Sequence, residues 1–238
     1  MGGTVVHLLG GPYVTVDDVR FDPPEGTCPL VVLLALRPDV ERRRAGEQLW
    51  PTCQGTRAAG NLRTAIWRLN RAVPGLVESN RRLLRLADGV GVDLRDLTAR
   101  ATALGEARPP GRAELLTVPG LVQAAADLLP GWEDEHVLLE RAWLRQHVLH
   151  AAERATRQLL DADKPSEAAE IATCLVRHEP LRESSQRLLI EALVTEGNLA
   201  EARRALGEHR RVLADELGIG VDPSLEALVG APRRGPVG

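Results

Sequence analysis

Aromatic residues are nearly missing from this chain of 238 residues, which has one Phe, one Tyr and four Trp. Leu, Val and Ala must then build the core, and a chain of this length and composition is best read as two domains of mostly helical character. Lysine is scarcer still: of the 30 basic residues only Lys164 is lysine. That bias points to a GC-rich genome, so an abundance of arginine carries little functional meaning until its placement is known. Cys28, Cys53 and Cys174 are odd in number and far apart. This excludes a disulfide framework or a paired-cysteine zinc site and leaves thiols that are buried or half-buried.

Long apolar runs are also absent. The longest, Leu30 to Leu36, is too short to span a bilayer, and the N-terminus lacks the basic start and apolar stretch of a secretory signal. A soluble, cytoplasmic protein with no membrane partner is the expectation. There is no Gly-x-x-x-x-Gly-Lys-Ser/Thr loop, no histidine-glutamate zinc motif and no nucleophile arrangement. Neither an enzyme nor a cofactor is expected. His147 and His150, with Glu153 one turn on, have a spacing that could hold a metal, but a solvated helix face is the plainer reading. Glu133, Asp134 and Glu135 open a helix, where acids suit the dipole.

The net charge of −3 argues against a chain that coats nucleic acid indiscriminately. The charge is nevertheless unevenly spread. From Val40 to Leu86 there are ten arginines against Glu41, Glu47 and Glu78, a net of +7, whereas beyond residue 90 there are 24 acids against 18 bases. Within the basic block, residues 57 to 73 read as a helix capped by Thr56 and stopped by Pro74-Gly75. Ala58, Leu62, Ala65, Ile66, Leu69 and Val73 share one face and must pack on something. Arg57, Asn61, Thr64, Arg68 and Arg71 share another. Forked guanidinium groups can take a guanine edge or a phosphate, an amide fits adenine, and a Thr methyl fits thymine. A solvated face usually interleaves acids with its bases; this one has none.

Upstream, residues 4–9, 13–16 and 19–21 read as short strands of a small antiparallel sheet. Helices follow over residues 29–37, with Thr27 as cap, and 40–50, capped by Asp39 and closed by Pro51. After the two-faced helix, residues 76–78 and 82–86 form a hairpin with Arg81, Arg82 and Arg85 near its tip. Sheet, helices and basic hairpin in that order make a winged helix-turn-helix, assigned to residues 1–91. From residue 92 to 230 the pattern is helical, with a Pro/Gly-rich break at 107–112, a helix from 121 to 129, and a long one over 133–160. Ser166-Glu167-Ala168-Ala169 and Ala200-Glu201-Ala202-Arg203 lie 34 positions apart, the period of tetratricopeptide helix pairs. Residues 231–238 read as a flexible tail. The fold class is mainly α with a small β component: a winged helix-turn-helix followed by an all-α, tetratricopeptide-like domain.

Several segments carry a resemblance: Leu49-Trp50-Pro51, Ile66-Trp67-Arg68-Leu69, Leu128-Leu129-Pro130-Gly131-Trp132, Leu138-Leu139-Glu140-Arg141, Glu179-Pro180-Leu181-Arg182-Glu183, and Glu196-Gly197-Asn198 through Ala202. Over nearly the whole length the chain resembles the SARP family, the Streptomyces antibiotic regulatory proteins, which pair an OmpR-like winged helix with a bacterial transcriptional activator domain. The resemblance implies a small, two-domain transcriptional activator, typically of a secondary-metabolite cluster. Such a protein binds direct repeats in double-stranded DNA, as a homodimer there, and contacts RNA polymerase holoenzyme. By position, the 56–73 helix is then the recognition helix and the 76–86 hairpin the wing, with Arg81 and Arg82 near the minor groove or its phosphates. Trp67 and Asn70 depart from the family, whose members usually carry smaller or basic residues there, and Asn70 removes a phosphate-binding charge. A helical-repeat adaptor with a scaffolding N-terminal domain is the competing reading, but it gives no reason to concentrate +7 on one helix and one hairpin.

Overall fold

The computed structural model describes residues 3–106 and 108–230; the tail expected at 231–238 lies outside the described residues. The chain divides into two compact units. One comprises the chain up to Leu97 with Asp127–Leu139; the other comprises Thr98–Ala126 and the chain from Glu140 on.

In the first unit, β1 (Thr4–His7), β2 (Tyr13–Val16) and β3 (Val19–Phe21) form the expected antiparallel meander. Helix α1 (Cys28–Leu36) buries Leu30, Val31, Val32, Leu33, Leu34 and Ala35. A helix apolar on every side can only sit inside a core. Thr27 does stand at its N-cap, but the hydroxyl donates to the Pro24 carbonyl at 2.6 Å rather than capping the helix. The helix expected at 40–50 starts later. Val40–Glu41 is extended as β4, because Val40 buries itself opposite Leu84, and α2 (Arg42–Leu49) follows with Glu41, not Asp39, at its N-cap.

Next come α3 (Gly55–Ala72), β5 (Val77–Ser79) and β6 (Leu83–Leu86). Gln54, not Thr56, is the N-cap of α3, and its carbonyl accepts from the Arg57 and Ala58 N–H groups at 2.9 and 3.0 Å. The three short strands form a sheet in the order β4-β6-β5.

Strand β7 (Gly91–Val92) runs parallel to β1 and completes the other sheet in the order β3-β2-β1-β7. Helix α4 (Asp93–Leu104) begins immediately. Asp93 accepts from the Leu8 and Leu9 N–H groups at 2.9 and 3.2 Å, and its carboxylate lies 3.4 Å from His7 Nδ1. The segment 127–129, read from sequence as helical, instead leaves the helix in a turn: Leu128 bridges the β1 extension and Leu129 sits in the left-handed region at φ +46°. Leu9 bridges Leu128, Gly10 N–H donates to the Asp127 carbonyl at 2.8 Å, and Leu129 N–H donates to the Leu8 carbonyl at 2.9 Å. Leu128 and Leu129 are fully buried, so burial and the free edge of the β1 extension override helical propensity here. Gly131, at φ +79°, then turns the chain where a side chain would be strained.

The second unit holds α5 (Arg112–Leu115), α6 (Val118–Ala126), most of α7 (Glu135–Asp161), α8 (Pro165–His178), α9 (Glu183–Glu196), α10 (Leu199–Leu217) and α11 (Pro223–Gly230). Helices α8 and α10 start 34 positions apart, and Ala168 and Ala202 are both fully buried where their helices meet their neighbours. Ile190, Ala202, Leu206, Leu225 and Val229 form one apolar cluster across α9, α10 and α11. Gly197, at φ +90°, caps α9 in the left-handed region and reverses the chain into α10.

Candidate nucleic-acid interface

The helix α3 carries the two stripes that its sequence requires. Ala58, Leu62, Ala65, Ile66 and Leu69 are buried, and Val73 at the C-cap is buried with them. On the opposite face Arg57, Thr64, Arg68 and Arg71 are exposed and Asn61 is half-buried. Thr64 donates its hydroxyl to the Gly60 carbonyl at 3.1 Å, a back-bond within the helix. Asn61, Thr64 and Arg68 line one side of a shallow cleft of about 310 Å³ whose other lining residues include Trp50, Thr27 and Glu25. Glu25, the carboxylate among the residues lining this cleft, belongs to the loop before α1, not to the helix.

Asn70 has a role that the sequence did not reveal. Its Nδ2 donates to the Val77 carbonyl and its Oδ1 accepts from the Val77 N–H, both at 2.9 Å. The amide thus completes the ladder position at the start of β5 and ties α3 to the hairpin. A basic residue could donate there but could not accept. Trp67, the other departure, is 59% exposed, and the Arg71 guanidinium lies 5.2 Å from its ring centroid. An exposed indole adds nothing to the core; it gives Arg71 a flat surface on which to rest.

At the hairpin tip, Asn80 Oδ1 accepts from the Arg82 and Leu83 N–H groups, each at 2.8 Å, closing an Asx turn. Arg42 N–H donates to the Arg82 carbonyl at 2.8 Å, which fixes the tip against the start of α2. Arg81 and Arg82 are exposed on this turn. Arg85 differs from them. It stands opposite Glu78 in the β5–β6 register and donates to it at 2.7 and 2.9 Å, with Asp88 at 3.3 Å. The hydrogen bond to Glu78, then the charges of Asp88 and Glu78, hold its guanidinium above the ordinary arginine range. An arginine already held by two acids is poorly placed to serve a phosphate.

Charge is therefore sorted by position. Among the described residues, the ion pairs of this unit engage Arg20, Arg43, Arg44 and Arg85. They leave Arg57, Arg68, Arg71, Arg81 and Arg82 without a carboxylate, as they also leave Arg63, an exposed neighbour on α3 outside the stripe, and Arg37 and Arg42. Like charges gathered without acids repel one another, and an anion relieves that repulsion.

The metal-like spacing on α7 resolves differently. His147 bonds Thr102 Oγ1 at 3.0 Å and stacks on Trp143. Glu153 does not face solvent with it. Its carboxylate accepts from Arg182 at 2.7 and 2.9 Å, from Ser184 at 2.5 Å and from Ser185 at 2.8 Å. No group of three or more acids, histidines or cysteines suited to a metal occurs among the described residues. No helix there is long and apolar enough to cross a membrane.

Comparison with known proteins adds three findings. The family model of the bacterial transcriptional activator domain matches residues 92–231. The chain is 32% identical over 191 residues to the regulatory protein AfsR of Streptomyces coelicolor, a stretch covering 76% of this chain but only 19% of that much longer relative. Among solved structures, EmbR of Mycobacterium tuberculosis, in complex with a low-affinity phosphopeptide, matches 97% of this chain with a TM-score of 0.66 at 17% identity. The chain spans 65% of that protein, and the likeness is one of fold.

Proposed function

From the premise that the chain belongs to the bacterial transcriptional activator domain family, as its SARP-like motifs led us to expect, we propose that it is a sequence-specific DNA-binding transcriptional activator. The observation that carries this reading is the acid-free arginine face of α3, continued by Arg81 and Arg82 at the hairpin tip. In this reading residues 1–91 are the DNA-binding domain. Helix α3 enters the major groove, Arg68, Asn61 and Thr64 address base edges, Arg57 and Arg71 hold phosphates, and the hairpin meets the adjacent backbone. Residues 92–230 are the activator domain. Their excess of acids over bases keeps them off the DNA and leaves them to align two protomers on direct repeats about one helical turn apart and to present a surface to RNA polymerase holoenzyme. A secondary-metabolite gene cluster is the proposed target. The adaptor reading has no use for an acid-free arginine face.

The test is genome-wide mapping of the tagged chain, followed by transcription in vitro from a mapped promoter with purified RNA polymerase. Occupancy at a few promoters sharing a direct repeat, with transcripts that rise on addition of the chain, is the expected result. Occupancy without sequence preference, or transcription unchanged by the chain, would refute the proposal.

A further inference from the structure

Leu175 of α8 and His209 of α10 hold equivalent places in successive helix pairs, 34 positions apart like Ala168 and Ala202. Leu175 is fully buried, and His209 is only 3% exposed. An imidazole thus stands where the repeat asks for an apolar side chain. Its Nδ1 lies 3.2 Å from the Pro180 carbonyl oxygen. A carbonyl only accepts, so Nδ1 carries the proton and Nε2 of the neutral ring keeps its lone pair. That Nε2 is buried and has no hydrogen-bond partner. An unmet buried acceptor costs folding free energy that leucine would not, so packing gives no reason for histidine here.

The cleft beside it gives one. His209 is one of the residues lining a cavity of about 570 Å³ formed by α8, α9 and α10; its Nε2 is closed to water there, so a ligand reaches that nitrogen only by pressing aside the side chains that cover it. This lies within the range of roughly 300–1,000 Å³ typical of small-molecule sites. Val176, Leu189, Leu193 and Val212 supply apolar walls. The charges at its edge balance, Arg177 and Arg204 against Glu201 and Glu208, and Arg204 already pairs with Glu201 at 2.6 Å. A charged ligand would meet attraction and repulsion together, whereas a neutral one loses nothing. We propose that this cleft binds an electrically neutral, largely apolar small molecule that donates one hydrogen bond, from a hydroxyl or N–H group, to His209 Nε2.

Two probes separate the hydrogen bond from mere apolar filling: 2-naphthol, which donates, and 2-methoxynaphthalene, which has nearly the same shape and cannot. Each is titrated into the full-length chain labelled with ¹⁵N-histidine. The expected result is saturable binding of 2-naphthol with movement of the His209 Nε2 resonance, and affinity for the methoxy compound about tenfold lower, the worth of one hydrogen bond. His209→Leu, which restores the repeat's apolar residue, should melt at a higher temperature and bind the two probes alike. Several results would overturn the proposal. These are no saturable binding, equal affinity of the parent for both probes, discrimination that survives in His209→Leu, or an Nε2 resonance already that of a bonded nitrogen before any probe is added. Tight binding of an apolar helical peptide that 2-naphthol fails to displace would likewise overturn it and give the cleft to a protein partner.

Discussion

Arg68 and Arg71 lie on the same face of α3 in different surroundings. Arg68 shares its cleft with Asn61 and Thr64, the side chains suited to base edges, whereas Arg71 rests over Trp67 towards the helix C-terminus. Arg68→Ala should therefore cost roughly 1–3 kcal/mol on the operator and relax one base preference, and Arg71→Ala should weaken all DNA alike and reduce the salt slope by about one. Titration on operator and scrambled DNA at several salt concentrations tests both, and two variants indistinguishable from the parent would discredit the face. The hairpin offers a sharper contrast. Arg81→Ala/Arg82→Ala should lower DNA affinity with unchanged thermal stability, while Arg85→Ala, whose side chain already serves Glu78 and Asp88, should alter affinity less than the double variant. Asn70→Ala removes both bonds to Val77 and should cost about 1–3 kcal/mol in a denaturant titration. A loss of affinity without a loss of stability would instead give Asn70 a contact with DNA.

Among the elements, α7, α8 and α9 are joined by charge as well as by apolar contact. Arg157 pairs with Glu191 at 2.5 Å and Arg145 with Glu179, each pair 34 positions apart. At their centre, the Arg182 of the Glu-Pro-Leu-Arg-Glu segment clamps Glu153, with side chains 17% and 12% exposed. Burial pushes the Glu153 carboxyl up, but the hydrogen bonds from Arg182, Ser184 and Ser185 together outweigh it and leave the group below its ordinary value near 4.5. A depressed folded-state value means stability that is full above the unfolded value and lost as pH falls through the folded one. The stability gap between the parent and Glu153→Gln should therefore be constant at neutral pH and close as pH drops below about 4.5. Arg182→Ala, which strands a half-buried carboxylate, should cost about 3 kcal/mol at pH 7. A gap independent of pH would mean that the clamp contributes no net stability.

For the whole molecule, the first compact unit does not end where the winged-helix pattern ends. Asp93 holds the Leu8 and Leu9 N–H groups, and Leu128 and Leu129 lie buried beside the same strand extension. A chain truncated after Gly91 loses these contacts and exposes the end of β1. It should melt well below a full-length control and bind DNA weakly for that reason, so any loss of activation by such a fragment must be weighed against its folding. Equal melting temperatures for the winged-helix transition in fragment and full chain would show that Asp93 and the 127–129 segment add nothing to it.

The sequence by itself determined whatever depends on local period and punctuation. The two stripes of α3, its stop at Pro74-Gly75, the meander at the N-terminus and the hairpin follow from spacings read within a few residues, and the 34-residue repeat from self-similarity along the chain. Its motifs carried the family as well. The rest depended on partners distant in the chain. Val40 extends because Leu84 lies opposite it, 127–129 leaves the helical state because β1 offers an open edge, and Asn70 becomes a clamp because Val77 comes within reach. The division of the arginines is of the same kind. Glu78 and Asp88 take Arg85 out of the basic set, while the face of α3 keeps its charge, and only the fold decides which acid stands beside which base. Local propensity amounts to tenths of a kcal/mol per residue, and burial or a satisfied hydrogen bond is worth about 1 kcal/mol or more, so tertiary contacts prevail wherever the two conflict.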